Sequence, residues 1–193
     1  QSIQRIAGEG ARLRRIVEDL LWLARFESEP SLPVPATVDV GQVATEAVAR
    51  FHHVADQRGI QLRGSVLTPQ APLIAAPPEW IDRLVGVLVD NACRYAPDGG
   101  TVDVSVVTGE GRVRLAVDDS GPGIPEKIRD KIFDPFFTTK AVGKGTGQGL
   151  ALARAAVVDK HGGTISFETD LGRGTTFIIR LPLSPPNTRK DIR

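Results

Sequence analysis

The chain has no methionine, one cysteine, and no run of 18 apolar residues such as a membrane-spanning helix needs. Each absence excludes something. A single thiol, Cys93, rules out an internal disulfide and cannot by itself make a metal site. Set on an apolar helix, it reads as a small buried hydrophobe. With 24 basic against 23 acidic residues the net charge is +1, so no broad basic face is offered to nucleic acid or to a membrane surface. Arg189, Lys190 and Arg193 read as part of a solvated tail. No signal peptide is visible. The missing methionine and a start at Gln1 in mid-helical pattern imply a piece of a longer chain. What is present, 193 residues at 41% hydrophobic and 24% charged, suffices for one buried core and an appendage.

The appendage comes first. Ile3, Ile6, Gly10, Leu13, Val17, Leu20 and Ala24 recur at alternating spacings of three and four, and Ile16, Leu23 and Phe26 widen the stripe. Arg5, Arg12, Arg14, Arg15, Glu18 and Asp19 fall largely opposite. The pattern predicts a long amphipathic helix over 1–28, and its heptad-like period predicts a homodimer made through it. Pro30, Pro33 and Pro35 then break the helix and stiffen a linker over 30–37.

Asp39 with Gln42 resembles a capping box, opening a helix that runs to about Arg58 and stops at Gly59. Short strands are expected over 60–66 and 73–75. Pro78 suits the first turn of a helix that carries Trp80, Ile81, Leu84, Val85, Leu88 and Val89 inward and ends near Tyr95. Residues 101–108 and 112–118 alternate about Gly109-Glu110-Gly111, a hairpin. A short helix over 125–132 precedes a stretch, 134–148, with glycine, lysine and threonine but no period, which predicts a mobile loop. A helix over 150–161 and a second hairpin, 164–169 with 175–181, close the pattern. The order predicts a two-layer α/β sandwich over 38–182, followed by a disordered tail over 183–193.

Four glycine-bearing or polar segments fall at element boundaries in that frame. They are Asp90-Asn91-Ala92 on an apolar helix, Asp119-Ser120-Gly121-Pro122-Gly123 after a strand, Gly145-Thr146-Gly147-Gln148-Gly149-Leu150 before a helix, and Gly172-Arg173-Gly174-Thr175 between strands. One such pattern is weak; four in this order point to a nucleotide pocket and to phosphoryl chemistry on ATP.

Together with Ile132-Phe133-Asp134-Pro135-Phe136-Phe137, these segments resemble the N, G1, F and G2 boxes of the catalytic ATP-binding domain of sensor histidine kinases. That family shares a superfamily with type II topoisomerases, mismatch-repair ATPases and ATP-dependent chaperones. The resemblance implies a Bergerat-type fold, a mixed and mostly antiparallel sheet with helices on one face. Residues 1–28, with Val17 to Arg25 among them, resemble the second helix of that family's dimerisation domain. The resemblance further implies Mg2+ with ATP as cofactors and a cytoplasmic location, whether or not the longer chain is anchored in a membrane. Its expected partners are the phosphoacceptor-histidine helix of the full kinase and the receiver domain of a response regulator, whose aspartate takes the phosphate in turn.

The candidate residues have chemical reasons as well. An Asn side-chain oxygen on the pocket face of its helix, Asn91, can ligate Mg2+ without adding negative charge beside the phosphates. A carboxylate at Asp119 can accept a hydrogen bond from the amine of adenine where guanine has a carbonyl, while Gly121 and Gly123 let backbone approach the base. Arg94 and Tyr95 are expected at the rim, and Thr175 as a polar contact near the base. Gly145, Gly147 and Gly149, with Thr146 and Leu150 between and after them, bring bare backbone N–H groups to phosphate. Lys140 and Lys144 either neutralise phosphate oxygens or stay solvated. Phe133, Phe136 and Phe137 are expected to anchor the flap, and Asp118 to be an exposed charge.

Three features limit the reading. His52 and His53 read as surface residues and His161 as structural, so no phosphoacceptor histidine is present and the chain alone should bind nucleotide without phosphorylating itself. Val87 stands one turn before Asn91, where many relatives carry a second Asn and water-activating ATPases a Glu. That argues against the topoisomerase-like alternative and leaves a nucleotide-responsive interaction module as the other. Gln148 replaces a commoner leucine between the G2 glycines and looks tolerable.

Overall fold

The structure, a computed structural model, describes Gly10 and residues 36–139 and 146–184. Apart from Gly10, the expected helix over 1–28 lies outside the described residues, as do most of the linker, Lys140, Lys144, Gly145 and residues 185–193 of the expected tail. Asp39 ends β1 (Thr37–Asp39) and caps α1 (Val40–Asp56), its Oδ1 accepting from the N–H groups of Gly41 at 2.8 Å and Gln42 at 3.1 Å. The capping box is only half formed. Gln42 turns away and donates from Nε2 to Glu46 Oε1 at 2.8 Å, one turn along the same helix.

After β2 (Gln61–Leu67) and β3 (Leu73–Ala75) come α2 (Pro78–Tyr95) and the hairpin of β4 (Thr101–Gly109) and β5 (Arg112–Asp119). Short α3 (Glu126–Arg129) precedes α4 (Gly149–Ala155), which runs on without a break as a π-helical turn over Ala156–Lys160. β6 (Thr164–Asp170) and β7 (Gly174–Pro182) finish the fold. β1 and β3 pair as a separate two-stranded ribbon, and the main sheet has the order β2-β4-β5-β7-β6. Only β2 with β4 is parallel. The first two residues of the expected tail belong to the domain: Leu183 N–H donates to Gly111 O and Ser184 N–H to Leu73 O, each at 2.9 Å.

Strand alternation fills one face of the sheet. Val102, Val104 and Val106 of β4, Val113, Leu115 and Val117 of β5, and Phe177, Ile179 and Leu181 of β7 are buried against Ile81, Leu84, Val85 and Leu88 of α2. Each contributes about 1.5–3 kcal/mol by leaving water. Cys93 belongs to this core, and burial first, then the nearby Asp90 charge, pushes its thiol up to about 11. His161 is structural as expected. Its Nδ1 donates to Ala156 O at 2.7 Å, its ring meets Trp80 edge-on at 6.0 Å, and burial lowers its pKa.

One long-range clamp holds the end of α2. Arg58 Nη1 donates to Cys93 O at 2.7 Å, Nη2 to Ala96 O at 3.0 Å, and Nε to Asp98 Oδ1 at 2.8 Å. A guanidinium thereby serves carbonyls that the helix end leaves unpaired and also meets the negative end of its dipole. Arg58→Ala should lower stability by about 2 kcal/mol in chemical denaturation, the scale of charged hydrogen bonds. Arg58→Lys, lacking the planar fork, should recover less than half of that loss.

Candidate nucleotide-binding site

α2 presents Val87, Asp90, Asn91 and Arg94, spaced to share one helix face, to a cavity of about 550 Å³. Facing them are Asp119 at the end of β5, the turn Pro122–Ile124, and Thr175 and Phe177 of β7. Thr138 and Thr139 on one side and Thr146, Gly147 and Leu150 on the other bound the open end. The volume is in the range of small-molecule sites.

Asp119 is the buried charge of this cavity, only 6% exposed. Burial pushes its pKa from the ordinary 3.8 up to about 6; the Gly121 N–H, donating to Oδ1 at 2.8 Å, pulls the other way, and neighbouring Asp118 pushes with burial. A Cβ at Gly121 would stand 2.5 Å from Asp119 Oδ1 and 2.9 Å from Tyr95 O, so only glycine fits that turn. Asp118 points to the other face, exposed, and accepts from Thr176 Oγ1.

Strand register sets Asp119 opposite Thr175. The Thr175 and Thr169 hydroxyl oxygens lie 3.0 Å apart, and Thr169 Oγ1 also accepts from Ile124 N–H at 2.8 Å and donates to Gly174 O at 3.0 Å. Thr169 has one proton and that proton is used, so Thr175 donates to it and keeps its own lone pairs. Thr169 was not among the expected site residues. Its signal was a hydroxyl in the same alternation as Ile165 and Phe167, on the face that packs inward.

Arg94 and Tyr95 both line the cavity. Arg94 Nε donates to Asp90 Oδ2 at 2.7 Å, and the half-exposed Tyr95 hydroxyl lies 3.3 Å from Thr139 Oγ1, linking α2 to one stem of the flap. The phenylalanines divide. Phe133 packs with Phe167 and Phe177 at 6.1 and 6.5 Å between ring centres, and Phe137 packs on the core. Phe136 does not anchor the flap from within: at φ +65° its backbone turns the ring outward, 67% exposed. Gly147, at φ +69°, lies so close to the Phe136 backbone that a Cβ there would collide. Gln148 is tolerated at a cost, being buried with Oε1 unpartnered among the described residues.

Among the described residues, no group of three or more His, Cys, Asp or Glu side chains could hold a metal alone. The donors at the cavity wall, an Asn amide beside a carboxylate, fit Mg2+ carried in with phosphate oxygens and water. Asn91 is the residue that would hold it. Also among the described residues, no helix is long and apolar enough to cross a membrane.

Residues 76–185 match the family described as histidine kinase-, DNA gyrase B-, and HSP90-like ATPase. Sensor histidine kinase ZraS of Escherichia coli (strain K12) is 37% identical over 191 residues, which are 99% of this chain and 39% of that protein. The catalytic domain of histidine kinase ThkA, free of nucleotide, superposes with a TM-score of 0.69 at 30% identity, covering 77% of this chain and 95% of the domain. ThkA in complex with response regulator protein TrrA gives 0.72 at 27%, over 95% of this chain and 51% of that one. Full-length ShkA in complex with AMPPNP gives 0.77 at 27%, over 92% and 37%. The chain thus spans 39% of the length of the ZraS relative it matches. On its sequence match and its architecture alike, the chain belongs to the histidine kinase-, DNA gyrase B- and HSP90-like ATPase family, as a histidine kinase catalytic ATP-binding domain.

Proposed function

We propose that this chain binds Mg–ATP and presents the γ-phosphate to a histidine on a helix outside it, from which an aspartate of a response regulator receives the phosphoryl group. The observation that carries the reading is the buried Asp119 carboxylate at one end of a nucleotide-sized cavity whose other wall carries Asn91. Asp119 accepts from the adenine amine, Gly121 holds the carboxylate oriented, Thr175 offers lone pairs beside it, and Gly123 brings backbone to the base. Thr146, Gly147, Gly149 and Leu150 border the cavity and would meet the phosphates; the same role is proposed for Gly145, Lys140 and Lys144, which lie outside the described residues. Bound Mg2+ would neutralise phosphate charge beside Asn91.

In the transfer, a P–N bond to the acceptor histidine forms as the bond from the γ-phosphorus to the β–γ bridging oxygen breaks, releasing ADP. The histidine proton goes to a base beside it, outside this chain. Positioning and charge neutralisation supply the catalysis. The reading is supported by the ShkA complex with an ATP analogue and the ThkA complex with a response regulator, both aligned over nearly the whole chain. ATP as substrate puts the domain in the cytoplasm, and residues 1–28 make the homodimer.

Asp119→Asn should weaken adenosine binding at least about tenfold in calorimetry, the scale of one charged hydrogen bond lost in a buried site. Unchanged affinity would sink the reading. The pH dependence has a definite sign. The folded pKa of Asp119 lies above its ordinary value, so its contribution to stability is fully present below 3.8 and lost as pH rises through about 6. Binding runs the other way, because the adenine amine needs the ionised acceptor: adenosine affinity should rise as pH passes upward through about 6. Adenosine carries no phosphate that titrates there, so a flat profile would mean the carboxylate does not meet the base.

The reaction itself is tested by mixing the chain with radiolabelled ATP and a separate protein carrying the phosphoacceptor helix. Acid-labile label on the histidine of that protein is expected, and none on this chain alone. Tight ATP binding with no label transferred would favour an interaction module.

A further inference from the structure

Val87 is used by nothing described so far, yet its side chain borders two spaces. One is the nucleotide cavity, which it enters one helical turn before Asn91. The other is a small void behind it, shared with Trp80, Leu84 and Leu152. Between the two lies the start of α4: a Cβ at Gly149 would stand 3.1 Å from Val87 Cγ1. The valine is therefore packed in place, and one stretch of cavity wall between α2 and the G2 segment is apolar. Asn91 supplies an amide oxygen on this face, and the carboxylate next to it, Asp90, is already engaged by Arg94 Nε at 2.7 Å.

Resting on the Mg–ATP reading above, we infer that Val87 sets how strongly nucleotide binding depends on the divalent cation. The turn that could offer a second oxygen offers two methyl groups, so the α2 face holds the cation through Asn91 alone. Mg2+ has a strict octahedral shell and gives up water reluctantly, so each added chain oxygen changes what the cation contributes. With one such oxygen, the cation adds little to the grip on the phosphates, and affinity comes mainly from the base and the backbone. Val87 is in this sense a specificity-determining residue: it tunes metal dependence without touching the adenine end, where Asp119 acts.

The test is the affinity of an unhydrolysable ATP analogue, by calorimetry on the whole chain, in saturating Mg2+ and again in chelator. The ratio of the two is compared between the unmutated chain, Val87→Asn and Val87→Thr. Taking each ratio within one protein cancels any effect of the substitution on the cavity itself. The unmutated chain should bind within about tenfold of the same affinity in both conditions, a small cation contribution. Val87→Asn, adding an amide oxygen, should widen its ratio at least about fivefold further. Val87→Thr keeps the branched shape against Gly149 and adds one hydroxyl, so it should widen the ratio by less; it also serves if the Asn variant does not fold. An unmutated ratio of about a hundredfold or more, or unwidened ratios in the folded variants, would overturn the inference. Adenosine binding by the unmutated chain separates the two levels. If adenosine is not bound, the nucleotide reading fails and this inference with it; if it is bound and the ratios do not widen, this inference fails alone.

Discussion

A carboxylate kept in a nearly closed space constrains everything around it. Asp119 is withdrawn from water at a cost that its raised pKa records, and the fold offsets that cost with few groups. The Thr175 backbone supplies one, and the Gly121 N–H another at 2.8 Å. That bond needs the chain to turn back within two residues, which needs glycine because any Cβ would strike the same oxygen. The position of the carboxylate is in turn a matter of strand register. β5 is paired on both sides, with β4 and with β7, and a slip of one residue would send Asp119 to the open face of the sheet where Asp118 now sits. The two-residue hairpin turn at Glu110-Gly111 is thus coupled, through the β4–β5 ladder, to the chemistry at its far end.

The elements and the motifs were legible because both rest on local chemistry. Alternation gave the hairpins, the 3.6-residue period gave α2 and its inward residues, and Asp39 marked the start of α1. What escaped was non-local. Arg58 reaches the carbonyls of Cys93 and Ala96, 35 and 38 residues away, and nothing near Arg58 distinguishes it from a surface arginine. Thr169 becomes a junction for the turn after β5 only once β6 and β7 pair. Phe136 failed as an anchor because its neighbours, both apolar, suggested a common role. A left-handed backbone at one position reverses where a ring points, and no periodicity reports it. Gln42 shows the same limit on a smaller scale, since two local hydrogen bonds were open to its side chain and the pattern named the other one.

The described residues on either side of 140–145 are tied to a rigid frame. On one side Phe133 and Phe137 sit against the core; on the other, Gly147 brings bare backbone against the Phe136 turn. Tyr95 adds a hydroxyl contact from α2 to Thr139. These contacts hold the described residues on the two sides of 140–145 to one part of the frame.

Division of labour along α2 follows from helix geometry. Residues 87, 91 and 94 share a face, so one helix sets the positions of an apolar wall, an amide and a guanidinium relative to one another with no loop between them. The helix is immobilised by core packing along its length and by Arg58 at its end, so those side chains meet a ligand at fixed spacing. The Asp119 end, by contrast, is built from strand termini and turns, held by register and by hydrogen bonds among Asp119, Gly121, Thr169 and Thr175. The two halves of the site are therefore independent in construction. A substitution at a position such as Val87 on α2 thus leaves the groups around Asp119 where the sheet sets them.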